Sequence, residues 1–196
     1  VFWHPRGYAV YRVLEDYIRR RMRRLGYAEV RTPMVLPRVL WERSGHWEKF
    51  RDNMFLVEDD GGREMALKPM SCPCHVQIFN KGLRSWRELP IRYAEFGQCH
   101  RNEPSGAMHG LMRTRGFEQD DAHVFCREDQ AVEEVGRFID LLDEVYGELG
   151  FPDYEVALAT RPDERAGSDD QWDWAEARLA EAARARGVSF GIKPGE

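Results

Sequence analysis

Residues 113–125, RTRGFEQDDAHVF, combine two guanidiniums, an aromatic ring, an amide, carboxylates and an imidazole within one short run. Read as a β-strand, the alternation of side chains puts Arg113, Arg115, Phe117, Gln119, Asp121 and His123 on one face. An ordinary half-buried strand would carry Val, Ile or Leu there. The other face (Met112, Thr114, Gly116, Glu118, Asp120, Ala122) is no more apolar. A strand that is polar on both sides, with one embedded aromatic, is expected to line a cleft.

A second strand belongs beside it. EFGQCHRNE, residues 95–103, is separated from the first run by the turn-rich PSGAMHG, so the two form a long hairpin. Cys99, Arg101 and Glu103 then share a face beside the Arg113 to His123 row. Such a surface suits a nucleotide. Guanidiniums fork their donors onto phosphate oxygens, Phe117 can stack on a base, and Glu103 can accept from an exocyclic amine.

Cys72, Cys74, His75, Cys99, His100, His123 and Cys126 offer thiol and imidazole donors of the kind zinc prefers. Their spacing is only suggestive, because no C-x-x-C pair occurs and a lone histidine on a strand is usually a hydrogen-bonded structural residue. Four cysteines scattered over 196 residues do not make a secreted disulfide scaffold, so they are expected to be reduced thiols.

The elements that must position these residues are legible in part. Val10, Val13, Leu14, Tyr17, Ile18, Met22 and Leu25 follow helical spacing up to Gly26, and Ala131, Val135, Phe138, Ile139, Leu142, Val145, Tyr146 and Leu149 do so up to Gly150. A third helix opens at Ser168, where SDDQ has capping-box spacing, and runs to Gly187. Between them lie the strand candidates YAEVRTP, NMFLVED, REMALKP, IRYAEFGQCHRNE, LMRTRGFEQDDAHVF and YEVALAT. An α+β fold is expected, with an antiparallel sheet flanked by helices in one domain and no linker dividing it.

Composition narrows the function. The chain is 42% hydrophobic and 32% charged, which fits a globular protein, and its net charge of -5 argues against general nucleic-acid coating. RRRMRR, residues 19–24, reads as a solvated helix face. No apolar run reaches the roughly 18 residues of a membrane span, and VFWHPRGYAV lacks a signal-peptide pattern, so a cytoplasmic protein is expected.

The hairpin FGQCHRNEPSGAMHGLMRTRGFEQDDAHVFC resembles motif 2 of the class II aminoacyl-tRNA synthetases, and its wording is that of the threonyl-tRNA synthetase family. LGYAEVRTPMV resembles motif 1 (about 24–35), with motif 2 at about 96–123. VLWERSGHWEKFRDNMF, LKPMSCPCHVQIF and ATRPDERAGSDDQW match the family in the same order, so the likeness covers nearly the whole chain.

The resemblance implies ATP-dependent activation of threonine and its transfer to tRNA(Thr). It assigns Arg101 to the α-phosphate, Glu103 to the adenine amine, Arg113 to the γ-phosphate side and Phe117 to adenine stacking, with Mg2+ accompanying ATP. Gln119, Asp121 and Met70 fall at threonine-binding positions. Cys72 and His123 fall at positions of zinc ligands whose third member lies beyond residue 196, and His46 at a histidine that assists transfer to the tRNA ribose. A homodimer through motif 1 is implied as well.

A site built to satisfy threonine's hydroxyl rejects valine strongly, while serine slips through. Two residues depart from the family's MNCPGH: Ser71 replaces an asparagine and Cys74 a glycine. Cys74 adds a thiol two residues from Cys72, which either crowds the backbone, offers an alternative ligand or points away harmlessly. The sequence is expected to be the first part of a catalytic domain, incomplete at its C-terminal end, without editing or anticodon-binding domains and poorly active alone. Two other classes compete: a synthetase-like paralogue that binds nucleotide, amino acid or a protein without charging tRNA, and a zinc hydrolase, for which no H-E-x-x-H or H-x-E signature is present.

Overall fold

The computed structural model describes residues 1–195, which fall into two compact units divided between 125 and 126. In the first, helix α1 (Pro5–Arg24) begins with proline in its first turn, where the missing N–H costs nothing, and ends on Arg21, Arg23 and Arg24, which oppose the negative end of the helix dipole. Gly26, at φ +81°, takes the left-handed turn that stops it. Strand β1 (Ala28–Glu29) follows and pairs in parallel with β5 (Ile91–His100).

The ribbon of β5 and β6 (Gly116–Phe125) is antiparallel over ten residues, from Ile91 opposite Phe125 to His100 opposite Gly116. Its even-numbered face is covered by α1: the Arg19 guanidinium lies 4.5 Å from the centre of the Phe96 ring. Tyr11, partly buried and hydrogen-bonded to Glu118, has its hydroxyl pKa raised by both effects. The odd-numbered face meets α4 (Cys72–Phe79), whose Phe79 stacks on Phe125 with ring centres 4.2 Å apart and whose His75 sits edge-on to His123 at 4.7 Å.

A smaller antiparallel sheet, ordered β2–β4–β3, joins β2 (Val35–Pro37), β4 (Glu64–Leu67) and β3 (Leu56–Glu58). It packs on α2 (Arg38–Arg43) and α3 (His46–Phe50) through Trp41, Trp47, Met54 and Ala66. Trp41 is fully buried, so its replacement by alanine would forfeit about 3–5 kcal/mol. The sheet is tied to the ribbon by two backbone bonds: His100 N–H donates to the Lys68 carbonyl at 2.8 Å, and Asn102 N–H to the Asn53 carbonyl at 2.8 Å. Gly97 permits the close approach of the segment that opens the helix after β4, because a Cβ there would meet Ser71 Oγ at 2.8 Å.

The second unit holds α5 (Ala131–Glu148), α6 (Asp169–Ala185) and a parallel pair, β7 (Ala157–Ala159) with β8 (Gly191–Lys193). The expected capping box is present: Gln171 N–H donates to Ser168 Oγ, and Ser168 N–H to Gln171 Oε1 at 2.9 Å. Arg186 braces the two helices by donating to Asp140 and Glu133 of α5.

The architecture is the expected α+β one. Several expectations fail in detail, each for a local reason. Residues 113–115 are not strand; the chain folds into its own turns there, with Met112 and Arg113 N–H both donating to the His109 carbonyl and Gly110 at φ +52°. β5 likewise ends at His100, so Arg101 and Glu103 are placed by a loop rather than by alternation. The segment around Cys74 forms a helix, with Pro73 in its first turn. Strands β2 and β8 and helices α2, α3 and α4 were not among the sequence expectations. On α1, Val10 and Val13 point outward, at 60% and 66% exposure, and only Met22 of that stripe is buried.

Candidate functional site

The odd face of the ribbon carries Phe117, Gln119, Asp121 and His123 in succession, opposite Cys99, Gly97, Glu95 and Tyr93. Gln119 is exposed, whereas Phe117, Asp121 and His123 are half-buried. At the open end of this row the Arg101 guanidinium lies 5.1 Å from the centre of the Phe117 ring, held there by an Nε–H bond to the Pro69 carbonyl at 3.2 Å. Met70, half-buried in the turn between β4 and α4, follows that proline. Arg113, 58% exposed, donates to Glu103 Oε2 at 2.8 Å, and Arg115 donates to the Glu103 carbonyl.

The other end is buried. Cys72 opens α4, and burial pushes its thiol pKa up, reinforced by the Asp121 carboxylate and opposed by the Arg101 charge. Burial lowers the pKa of His123, against the pull of the same Asp121, whose Oδ1 lies 3.8 Å from His123 Nδ1. Cys72, Arg101, Asp121 and His123 therefore share one electrostatic neighbourhood. Among the described residues, no group of three or more His, Cys, Asp or Glu side chains is arranged to hold a metal. Cys72 and His123 are donors of the type zinc takes, and they supply two ligands of a site that needs more.

Beneath them lies a polar network that sequence reasoning did not single out. Glu95, 3% exposed, accepts through Oε1 from Lys68 Nζ at 3.1 Å and Thr32 N–H at 2.8 Å. Its Oε2 accepts from Thr32 Oγ1 at 2.9 Å and lies 3.0 Å from His75 Nε2. Lys68 Nζ also donates to Thr32 Oγ1 at 2.8 Å. Burial alone would raise the Glu95 carboxyl, but the bonds from His75, Thr32 and Lys68 hold it at about 2. His75, fully buried and of a residue type that can ligate a metal, has its Nδ1 2.8 Å from His123 Nδ1. The signal that could have found the network is the lone carboxylate of IRYAEFG, on a strand whose other odd residues are inward-facing, together with the lone lysine of MALKP. A buried charge needs a buried partner.

Cys74 is buried in this same core, where burial raises its thiol pKa, opposed by Thr32 and Lys68; Cys99 beside it is raised likewise. His46 stands at the start of α3, its Nδ1 at 2.9 Å from Ser44 Oγ and its ring edge-on to Trp41 at 6.3 Å. Burial lowers its pKa. Its ring contacts are Trp41 and Phe50.

Among the described residues no helix is long and apolar enough to cross a membrane. Residues 55–185 match the family model for the tRNA synthetase class II core domain (G, H, P, S and T). The whole chain is similar to a threonine–tRNA ligase of Wolbachia pipientis, at 56% identity, and to one of Rhodospirillum rubrum, at 59%. It spans 31% and 30% of the length of these two relatives. A crystal structure described as the RNA binding domain of threonyl-tRNA synthetase from Cryptosporidium parvum superposes on all of the chain, with a TM-score of 0.92 and 43% identity, over 48% of that structure's chain. The chain thus belongs to the class II tRNA synthetase core family.

Proposed function

We propose that the chain is the threonine- and ATP-binding part of a threonine–tRNA ligase core, which activates threonine as its adenylate and transfers it to tRNA(Thr). The observation that supports this reading most is the single ribbon face that carries Arg101 over Phe117 at one end and Asp121, His123 and Cys72 at the other. In the first step a threonine carboxylate oxygen bonds to the α-phosphorus of ATP and pyrophosphate leaves. Arg101 neutralises the charge that shifts onto the α-phosphate, Phe117 stacks on adenine, Glu103 receives the adenine amine and Arg113 the γ-phosphate, with Mg2+ accompanying the nucleotide. The Arg113–Glu103 pair must part when ATP binds. In the second step a tRNA ribose hydroxyl attacks the adenylate carbonyl and AMP leaves, with His46 assisting.

Threonine is held by Gln119, Asp121 and Met70. Cys72 and His123 are the residues that would hold zinc, with a third ligand from beyond residue 196. Bound there, the ion would supply Lewis-acid chemistry to threonine's amino and hydroxyl groups. The family's homodimer, formed through the segment at about 24–35, belongs to the same proposal.

Amino-acid-dependent exchange of pyrophosphate into ATP, measured on the full-length protein, tests the reading. Threonine should support exchange and valine should not, because valine leaves the hydroxyl seat unsatisfied. Exchange supported by glycine, histidine or proline, or by serine when threonine supports none, would overturn it.

A further inference from the structure

Glu103 stands in the loop after β5, where no ladder bond holds it, yet a carboxylate that recognises one amine must be kept closely in place. Three bonds hold it. Its N–H donates to the Arg101 carbonyl at 2.8 Å, its own carbonyl accepts from Arg115 Nε–H at 2.8 Å, and its Oε2 accepts from the Arg113 guanidinium at 2.8 Å. The third bond is the one that ATP displaces. The first, with the Asn102 N–H bond to the Asn53 carbonyl, fixes the backbone entering Glu103. The backbone leaving it is another matter, because the next residue, Pro104, has no N–H with which to add a bond. That side is held by Arg115 at the Glu103 carbonyl.

Arg115 is anchored for the purpose. It immediately precedes β6, which begins at Gly116, and its own carbonyl accepts from Arg101 N–H at 2.8 Å, one bond beyond the β5–β6 ladder. Its side chain therefore reaches across the neck of the hairpin from a fixed backbone. The turns farther out close on the His109 and Arg113 carbonyls, and those bonds do not reach Glu103. The donor is the Nε–H, whose direction is set by the planar guanidinium, and the positive charge strengthens the bond.

We propose that Arg115 is the positioning residue of the adenine contact: its bond to the Glu103 carbonyl clamps the neck of the loop and fixes the carboxylate that meets the adenine amine. That Glu103 meets adenine rests on the function proposed above; the clamp does not. Arg115 itself touches no part of the nucleotide. Guanine carries an oxygen where adenine carries the amine, so a fixed carboxylate repels it, and a loosened one discriminates less. Loss of the clamp is thus read as loss of base selectivity.

Pyrophosphate exchange with ATP or GTP, and millisecond hydrogen exchange of residues 103–113, both on the full-length protein, test the clamp. Arg115→Met should lower kcat/KM for ATP about tenfold, narrow the preference for ATP over GTP by a similar factor, and leave KM for threonine within about twofold. Without ATP it should speed exchange of the loop amides and leave the unfolding midpoint unchanged. Arg115→Lys should behave as Arg115→Met, because an ammonium keeps the charge and loses the fixed Nε–H direction. In a Glu103→Ala background, Arg115→Met should add nothing, since its effect passes through the carboxylate already lost. Additive losses, or full rescue by Arg115→Lys, would mean that the guanidinium meets the phosphates itself and would overturn the positioning role. Loop amides that exchange as in the wild type would overturn it too. If the loop loosens but Glu103→Ala keeps the preference for ATP, the clamp stands and the adenine role given to Glu103 falls.

Discussion

The two ends of the ribbon face are built on opposite terms. At the Arg101–Arg113 end the charged groups lie in the loop after β5, and Arg113, 58% exposed, holds Glu103 in a single surface ion pair. At the Asp121–His123 end, Lys68, Glu95 and His75 are sealed, with at most 3% exposure, and each is held by hydrogen bonds. An exposed pair is worth little and can be exchanged for phosphate contacts at little cost. A buried network cannot be remade on each turnover. It suits a ligand that must be recognised by the position of one or two atoms, whereas a triphosphate is gripped by charge.

That contrast can be broken at several points. Glu95→Ala leaves the Lys68 ammonium buried without its counter-charge, so chemical denaturation should show a loss of about 3–5 kcal/mol. Arg101→Ala should do the reverse. Unfolding should move by less than about 1 kcal/mol, while the rate of pyrophosphate exchange should fall about 10²–10³-fold, since its charge is needed where the transition state develops.

Acid should act on the buried end. The Glu95 carboxyl is held at about 2 against an ordinary 4.5, so its contribution to stability is complete above the unfolded value and disappears as pH falls from 4.5 through 2. The gap corresponds to roughly 3 kcal/mol, and Glu95→Gln should flatten that limb of the stability–pH curve. The smallest effect belongs to Arg113→Gln, which should change stability by less than about 0.5 kcal/mol and raise KM for ATP. A loss of stability comparable to that of Glu95→Ala would show that the loop is part of the frame rather than a surface to be remade.

The same contrast separates what sequence showed from what it did not. The Phe117 to His123 row was legible because alternation holds wherever a strand is paired, and β6 is paired from Gly116 onward. Arg113 and Arg115 were assigned to that row and do not belong to it, because turns closed on the His109 carbonyl replace the ladder there. The long helices announced themselves by periodicity, and α6 by its capping box. Helix α4 had no such signal: eight residues beginning Cys-Pro-Cys-His are too short for periodicity to speak.

The buried network around Glu95 was hidden for a different reason. Lys68, Thr32, His75 and Glu95 come from four separate segments, and each alone reads as a polar residue at an element's edge. Only the fold brings them within hydrogen-bond reach, where their burial turns four ordinary residues into one unit. The roles given to Met70 and His46, and the choice of Cys72 among the thiols, came from family likeness rather than from spacing.

The central claim is that one face serves two ligands from two ends, and a KM comparison on the full-length protein tests it most directly. In pyrophosphate exchange, His123→Ala should raise KM for threonine while leaving KM for ATP within about twofold, and Arg113→Gln should do the opposite. If His123→Ala weakened ATP and left threonine unchanged, the division of the ribbon into a nucleotide end and an amino-acid end would be wrong.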